Sequence, residues 1–233
     1  MAALAKRLVT VWTSVANRPM CAAMARGYFI TLEGGEGAGK STQAARLTET
    51  LKACGREVVR TREPGGSPGA EAIRALLVNG ATDRWSPISE TLLIYAARHD
   101  HIERVIAPAL ARGAVVVCDR YADSTRAYQG AGGGAPGALI GALEGVVLGQ
   151  VRPDLTLLFD LPPALGLARA MARAEGEGRF EAKDLGFHER LRAAFLQIAR
   201  DEPARCVMID AAYDADTVAE AVWHAVASRL GPA

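Results

Sequence analysis

Five short β-rich runs recur along the chain with room for a helix between each pair. They are YFITLE (28–33), EVVRT (57–61), AVVVCD (114–119), LTLLFD (155–160) and CVMID (206–210). All but EVVRT are nearly continuous in apolar side chains, the pattern of parallel strands covered on both faces. The segments between them carry helix signals. Ser86-Pro87 is an N-cap followed by proline at the first helical position. Leu191, Phe195 and Ile198 share one helical face, and Val218, Val222, Val226 and Leu230 share another. Strand alternating with helix throughout predicts an α/β fold, a central parallel sheet of about five strands with helices on both faces. The glycine-rich GAGGGAPG (130–137) reads as a loop within it.

Directly after the first run comes GGEGAGKST (34–42), in which Gly34, Gly39, Lys40 and Ser41 match G-x-x-x-x-G-K-[ST]. The match follows a strand and opens a helix over about 40–53, the context that gives it force and makes the fold a phosphate-loop NTPase one. Glycines let backbone N–H groups close on phosphates, and the helix N-terminus adds positive potential. Gly34, Gly35, Glu36, Gly37, Ala38, Gly39, Lys40, Ser41 and Thr42 therefore form the candidate ATP-binding loop. Lys40 is expected to reach the outer phosphates and Ser41 a magnesium ion. VVVCDR (115–120) ends an apolar strand in Asp119, at the sheet edge where the loop also lies, so Asp119 is the second magnesium candidate, partly through water. Asp160, ending LTLLFD, is the alternative, and before Pro162 it reads better as an N-cap.

Several phosphate-loop classes are excluded by what the chain lacks. Neither N-K-x-D nor D-x-x-G occurs, which argues against a GTPase switch, and Arg120 follows Asp119 where an ATPase would carry a second acid. An arginine beside the metal carboxylate favours binding a second phosphate ester over activating water. With 233 residues and a net charge of +1, the chain suits a one-domain kinase for a small acceptor and offers no basic tract for nucleic acid. Its four cysteines, Cys21, Cys54, Cys118 and Cys206, are far apart, as reduced thiols in a cytoplasmic protein would be. No apolar run approaches the roughly 18 residues of a membrane span. No acidic side chain precedes Glu33, whereas Lys6, Arg7, Arg18 and Arg26 are basic. Residues 1–26 read as a disordered extension or an over-long start before Met20 or Met24, with an organelle transit peptide as the alternative. Residues 27–233 are expected to form the single domain.

Taken in order, EGGEGAGKST, TREPGG (61–66), YAAR (95–98), DRYADSTRAYQG (119–130) and GRFE (178–181) resemble the bacterial thymidylate kinase family over about residues 27–230. The most specific strings are TREPGG and DRY…S-T-x-A-Y-Q-G. The resemblance implies transfer of the ATP γ-phosphate to dTMP with magnesium, in a homodimer. It implies that Arg74 and Arg120 hold the acceptor's phosphate, and that Arg98 reads a ring carbonyl with Tyr95 stacked on the pyrimidine. Ser124, Thr125 and Gln129 fall where the family reads the base edge. Tyr128 falls where the family crowds the sugar's 2′ position, and Glu36 near the 3′-hydroxyl and the transferring phosphate. A lid over about 169–182, RAMARAEGEGRFE with Arg169, Arg173 and Arg179, is implied to supply the positive charge that the loop itself lacks. Of these, Arg173 and Arg179 are the expected catalytic arginines beside Lys40 and Glu36. Two departures accompany it: Gly178 stands before Arg179 where aspartate is common, and Gly133 where a basic residue is frequent.

Overall fold

A computed structural model describes residues 26–81, 83–172 and 178–230. The chain runs β1 (Tyr28–Gly34), α1 (Lys40–Ala53), β2 (Val58–Arg62), α2 (Pro68–Val78) and α3 (Pro87–His101). A π-helical turn, Ile102–Ile106, carries α3 into α4 (Ala107–Ala111), and β3 (Val115–Asp119) leads to α5 (Ala122–Thr125). Next come α6 (Gly137–Val147), β4 (Leu155–Asp160), α7 (Pro163–Met171) and α8 (Gly178–Glu181), then α9 (Leu185–Asp201), β5 (Cys206–Asp210) and α10 (Ala215–Leu230). The glycine-rich stretch is not wholly a loop: Arg126–Gly132 prolongs α5 as a π-helical segment before the helix ends.

All four strand pairings are parallel, in the order β2-β3-β1-β4-β5. The apolar runs are explained by burial on both faces. Ile30, Leu32, Val117, Leu157 and Phe159 pack against α1 and α10 through Leu47, Leu51, Val218, Val222 and Val226. On the other face Phe29, Val116 and Cys118 meet Ile106, Ala109, Leu110 and Tyr121, while Leu158 meets Phe187, Leu191 and Phe195. EVVRT is less apolar because β2 is an edge strand, only partly covered. Ser86 caps α3 as its sequence predicts, accepting the Ser89 N–H.

Chain order reverses around β1, so its carboxyl end and that of β3 open a crevice. In register, Leu32 faces Asp119, which brings the start of the phosphate loop beside the acid that ends β3. The expectation for residues 1–25 lies outside the described residues. Arg26 lies within them and donates to the Asp154 carboxylate, which also accepts the Phe29 N–H. Among the described residues, no helix is long and apolar enough to cross a membrane.

Candidate active site

The phosphate loop is shaped by two left-handed glycines. Gly37 (φ 67°) packs so closely on α7 that a Cβ there would lie 1.9 Å from the Gly166 carbonyl oxygen. Gly39 (φ 83°) turns the chain into α1, whose first turn has no side-chain cap and no acid. The opening N–H groups of α1 are thus left for an anion. Lys40 is buried, and its Nζ donates to the Gly35 carbonyl (2.7 Å). Burial, then the neighbouring Arg120, pull its pKa down to about 8 against the opposing pull of Glu36, Asp119 and Glu33. Ser41 Oγ donates to Asp119 Oδ2 at 2.5 Å. This all-oxygen pair suits a hard cation such as magnesium, which takes one or two protein oxygens and completes its shell with phosphates and water.

Opposite the loop stands Arg120, the one non-glycine residue with positive φ (70°) among the described residues. Such a backbone costs of order 1–3 kcal/mol and persists only where the surroundings impose it. Here they do. Nη1 donates to the Gly34 carbonyl (3.0 Å) and to Ser124 Oγ (3.3 Å), and Nη2 to both oxygens of Glu36 (3.1 and 3.2 Å). The guanidinium also lies over the Tyr128 ring, 4.8 Å from its centre, and the Tyr128 hydroxyl donates to Glu36 Oε1 (2.6 Å). Burial alone would raise the Glu36 pKa, but Arg120, Lys40 and the Tyr128 hydroxyl outweigh it and hold it low. Arg74 faces the same cleft of about 370 Å³ and donates to the Pro64 carbonyl.

The far end of the cleft is built on α3. Arg98 is buried, its Nε bonded to Glu63 Oε2 (2.7 Å) and its Nη2 to the Tyr121 carbonyl and Thr125 Oγ1 (3.0 Å each). Its Nη1 is buried with no partner among the described residues, although Arg98 lines the cleft. Thr125, Gln129 and Ile94 line it too. Tyr95 does not: it is sunk in the core against Ala135 and Ile140, with its ring beside Arg98. The helical phase explains this, since Ile94 and Arg98, four apart, share the cleft-facing stripe that Tyr95 leaves.

Two further expectations are corrected. Arg179 does not face the cleft: Nη1 donates to the Leu77 carbonyl (2.9 Å), Nε to that of Ala81 (3.1 Å), and Nη2 pairs with Glu90 (2.6 Å). Carbonyls at the end of α2 attract its charge, and the neighbouring Phe180 and Glu181 line the cleft instead. Asp160 does not cap α7 and is not free for a metal, although it lies close to Gly35 and Glu36, because Arg192 of α9 takes both of its oxygens (2.7 and 2.9 Å). Arg169 is turned to the Ala211 and Ala212 carbonyls, and Arg173 lies outside the described residues.

Sequence reasoning assigned no role to two acids that shape the site. Glu63, inside TREPGG, binds Arg98 with one oxygen and the buried His101 Nδ1 with the other (3.0 Å). Glu33 is fully buried and receives the Tyr121 N–H (2.8 Å) and Ser124 Oγ (2.6 Å). Burial, then the nearby Asp123, raise its pKa to about 7. A charged residue ending an apolar strand was the available signal for Glu33.

Comparison with known proteins follows the same lines. Residues 32–222 match the family model described as thymidylate kinase. A thymidylate kinase of Caulobacter vibrioides is 67% identical over 208 residues, covering 89% of this chain and all of that protein. One of Bradyrhizobium diazoefficiens is 55% identical over 210 residues, covering 89% of this chain and 92% of the other. A crystal structure of thymidylate kinase from Ehrlichia chaffeensis superposes with a TM-score of 0.72 at 33% identity, over 86% of this chain and 98% of that one. With its parallel sheet, phosphate loop and arginine-lined cleft, the chain belongs to the thymidylate kinase family.

Proposed function

We infer that the cleft between the phosphate loop and α3 is where the chain carries out its reaction, transfer of the γ-phosphate of ATP to dTMP to give dTDP, a step in dTTP synthesis. The buried, unpartnered Nη1 of Arg98 carries this assignment, because an orphaned guanidinium N–H in a cleft wall calls for an acceptor such as a ring carbonyl. The base then lies between Arg98, Thr125, Gln129 and Ile94, and Tyr128 closes on the sugar. Arg120 and Arg74 take the acceptor's phosphate by charge-assisted hydrogen bonds. Glu36 and the strained backbone hold Arg120 ready before any ligand arrives.

The residues from Gly34 to Thr42 hold the ATP phosphates, with Lys40 on the outer ones. An oxygen of the acceptor phosphate attacks the γ-phosphorus in line, a new P–O bond forms, and the bond to the β-phosphate oxygen breaks. No protein nucleophile takes part: the residues position both phosphates and neutralise charge. Ser41 and Asp119 would hold magnesium, which would supply positive charge to neutralise the ATP phosphates. The catalytic arginine of the lid is assigned to Arg173, since Arg179 is engaged with α2 and α3.

Residues 27–233 constitute the working domain. A homodimer is favoured by α6, whose only charged residue, Glu144, is buried on Arg126 while Val146 is 83% exposed. The free thiols of Cys54, Cys118 and Cys206 fit a cytoplasmic location. A panel of nucleoside monophosphates with ATP tests the base site. Thymidylate is expected to exceed deoxyguanylate in kcat/KM by up to about 10⁴, the scale on which hydrogen-bonding sites reject mismatched edges. Comparable values for the two would overturn it.

A further inference from the structure

We propose that Glu90 is the positioning residue that sets which base edge the cleft accepts, by holding the Gln129 amide in one orientation against Arg179. This rests on the base site proposed above. Glu90 stands on α3 at four-residue spacing from Ile94 and Arg98, on the same stripe. Its Oε1 receives the Gln129 Nε2 (2.9 Å) and its Oε2 the Arg179 Nη2 (2.6 Å). Gln129 and Arg179 are both buried, so neither has water as an easy substitute partner.

The orientation follows from what each group can do. A carboxylate only accepts and a guanidinium only donates, whereas an amide does both. Wedged between Arg179 and Gln129, Glu90 requires the Gln129 nitrogen to point at it. The Gln129 carbonyl oxygen is left on the other side, and among the described residues it forms no hydrogen bond. Arg98, whose Nη1 is a buried donor without a partner among the described residues, lines the same cleft. The wall therefore offers a donor and an acceptor together. A thymine edge, carbonyl O4 next to N3–H, is the complement. A cytosine edge, amino N4 next to a bare N3, meets donor with donor and acceptor with acceptor.

Glu90→Gln keeps the shape and reverses the logic. The new amide must turn its oxygen to Arg179, which can only donate, and so presents its NH₂ to Gln129. Gln129 then turns its own carbonyl towards position 90 and its NH₂ into the cleft. The N3–H of thymine loses its acceptor, and the N3 of cytosine gains a donor.

The experiment measures kcat/KM for dTMP and dCMP with ATP in four proteins: wild type, Glu90→Gln, Gln129→Ala and the double variant. The dTMP:dCMP ratio is expected to fall roughly 10- to 100-fold in Glu90→Gln, the worth of one mispaired buried group. In the Gln129→Ala background the same substitution should leave the ratio unchanged, which a merely structural role would not produce. An unaltered ratio in Glu90→Gln, or an equal fall in both backgrounds, overturns the proposal. Should Glu90→Gln not fold, Glu90→Asp serves: it keeps the charge but is too short to reach both partners, and the same ratio is read. A wild type that does not prefer dTMP over dCMP would instead overturn the base site itself.

Discussion

Glu33 holds two donors of the segment that follows β3, the Tyr121 N–H and Ser124 Oγ, from inside the sheet. With a folded pKa near 7, against 4.5 for an ordinary glutamate, it keeps its proton over a window in which the unfolded chain has lost it. The native state then binds more protons, so this contribution to stability is full below about pH 4.5 and is lost as pH rises through 7. Glu33→Gln, which mimics the protonated acid, should abolish that slope. Urea unfolding at pH 5 and pH 8 would show wild type losing stability relative to the variant at the higher pH. An equal difference at both would mean that Glu33 does not titrate in this way. Residues of this kind were hard to read beforehand. Gly39, Lys40 and Ser41 announce themselves because their chemistry is local to one loop. The partners of Glu33 lie about ninety positions downstream, and only the strand pairing brings them together.

At the level of elements, α8 is where the sequence and the structure part. GRFE and its arginine were legible as a lid string, but the direction of the Arg179 guanidinium depends on where α2 ends and where α3 begins. Leu77 and Ala81 offer carbonyls and Glu90 a carboxylate, so Arg179 fastens α8 to α2 and α3, beside the proposed base site. A transition-state arginine and a fastening arginine fail differently. Arg179→Ala leaves Glu90, whose side chain is only 12% exposed, without its cation, a loss that approaches the roughly 3–5 kcal/mol of a fully buried pair. The variant is therefore expected to melt earlier and to raise the KM for dTMP through Gln129. A fall in kcat of about 10³ with unchanged KM and unchanged melting would instead make Arg179 the catalytic arginine. The same dependence on helix phase misled the reading of YAAR: an aromatic residue invites a stacking role, but the four-residue stripe through Glu90, Ile94 and Arg98 turns Tyr95 into the core. The five strands were legible to within a residue or two because burial on both faces leaves an uninterrupted apolar run, a signal that needs no partner to be seen.

Over the whole molecule, the two faces of α3 would tie the proposed base site to the proposed dimer. Its inner stripe carries Glu90, Ile94 and Arg98, while Ile88 and Leu92 on the outer side are about half exposed. Beside it, α6 turns Ala138, Gly141, Ala142, Gly145 and Val146 outward, with no charged side chain among them. A surface helix normally carries charge on its outward face. An apolar, small-residue face next to two exposed aliphatics is what a second copy, related by two-fold symmetry, would cover. Val146→Glu introduces a charge at the most exposed of these positions and touches nothing in the cleft. Sedimentation equilibrium is expected to report a dimer for the wild type and a monomer for the variant. Because the dimer would brace α3 from behind, the monomer should also bind dTMP more weakly while its affinity for ATP at the phosphate loop, on the far side of the cleft, stays the same. A monomeric wild type would remove the assembly; a monomeric variant with undiminished dTMP affinity would leave the assembly but show that the base site stands without it.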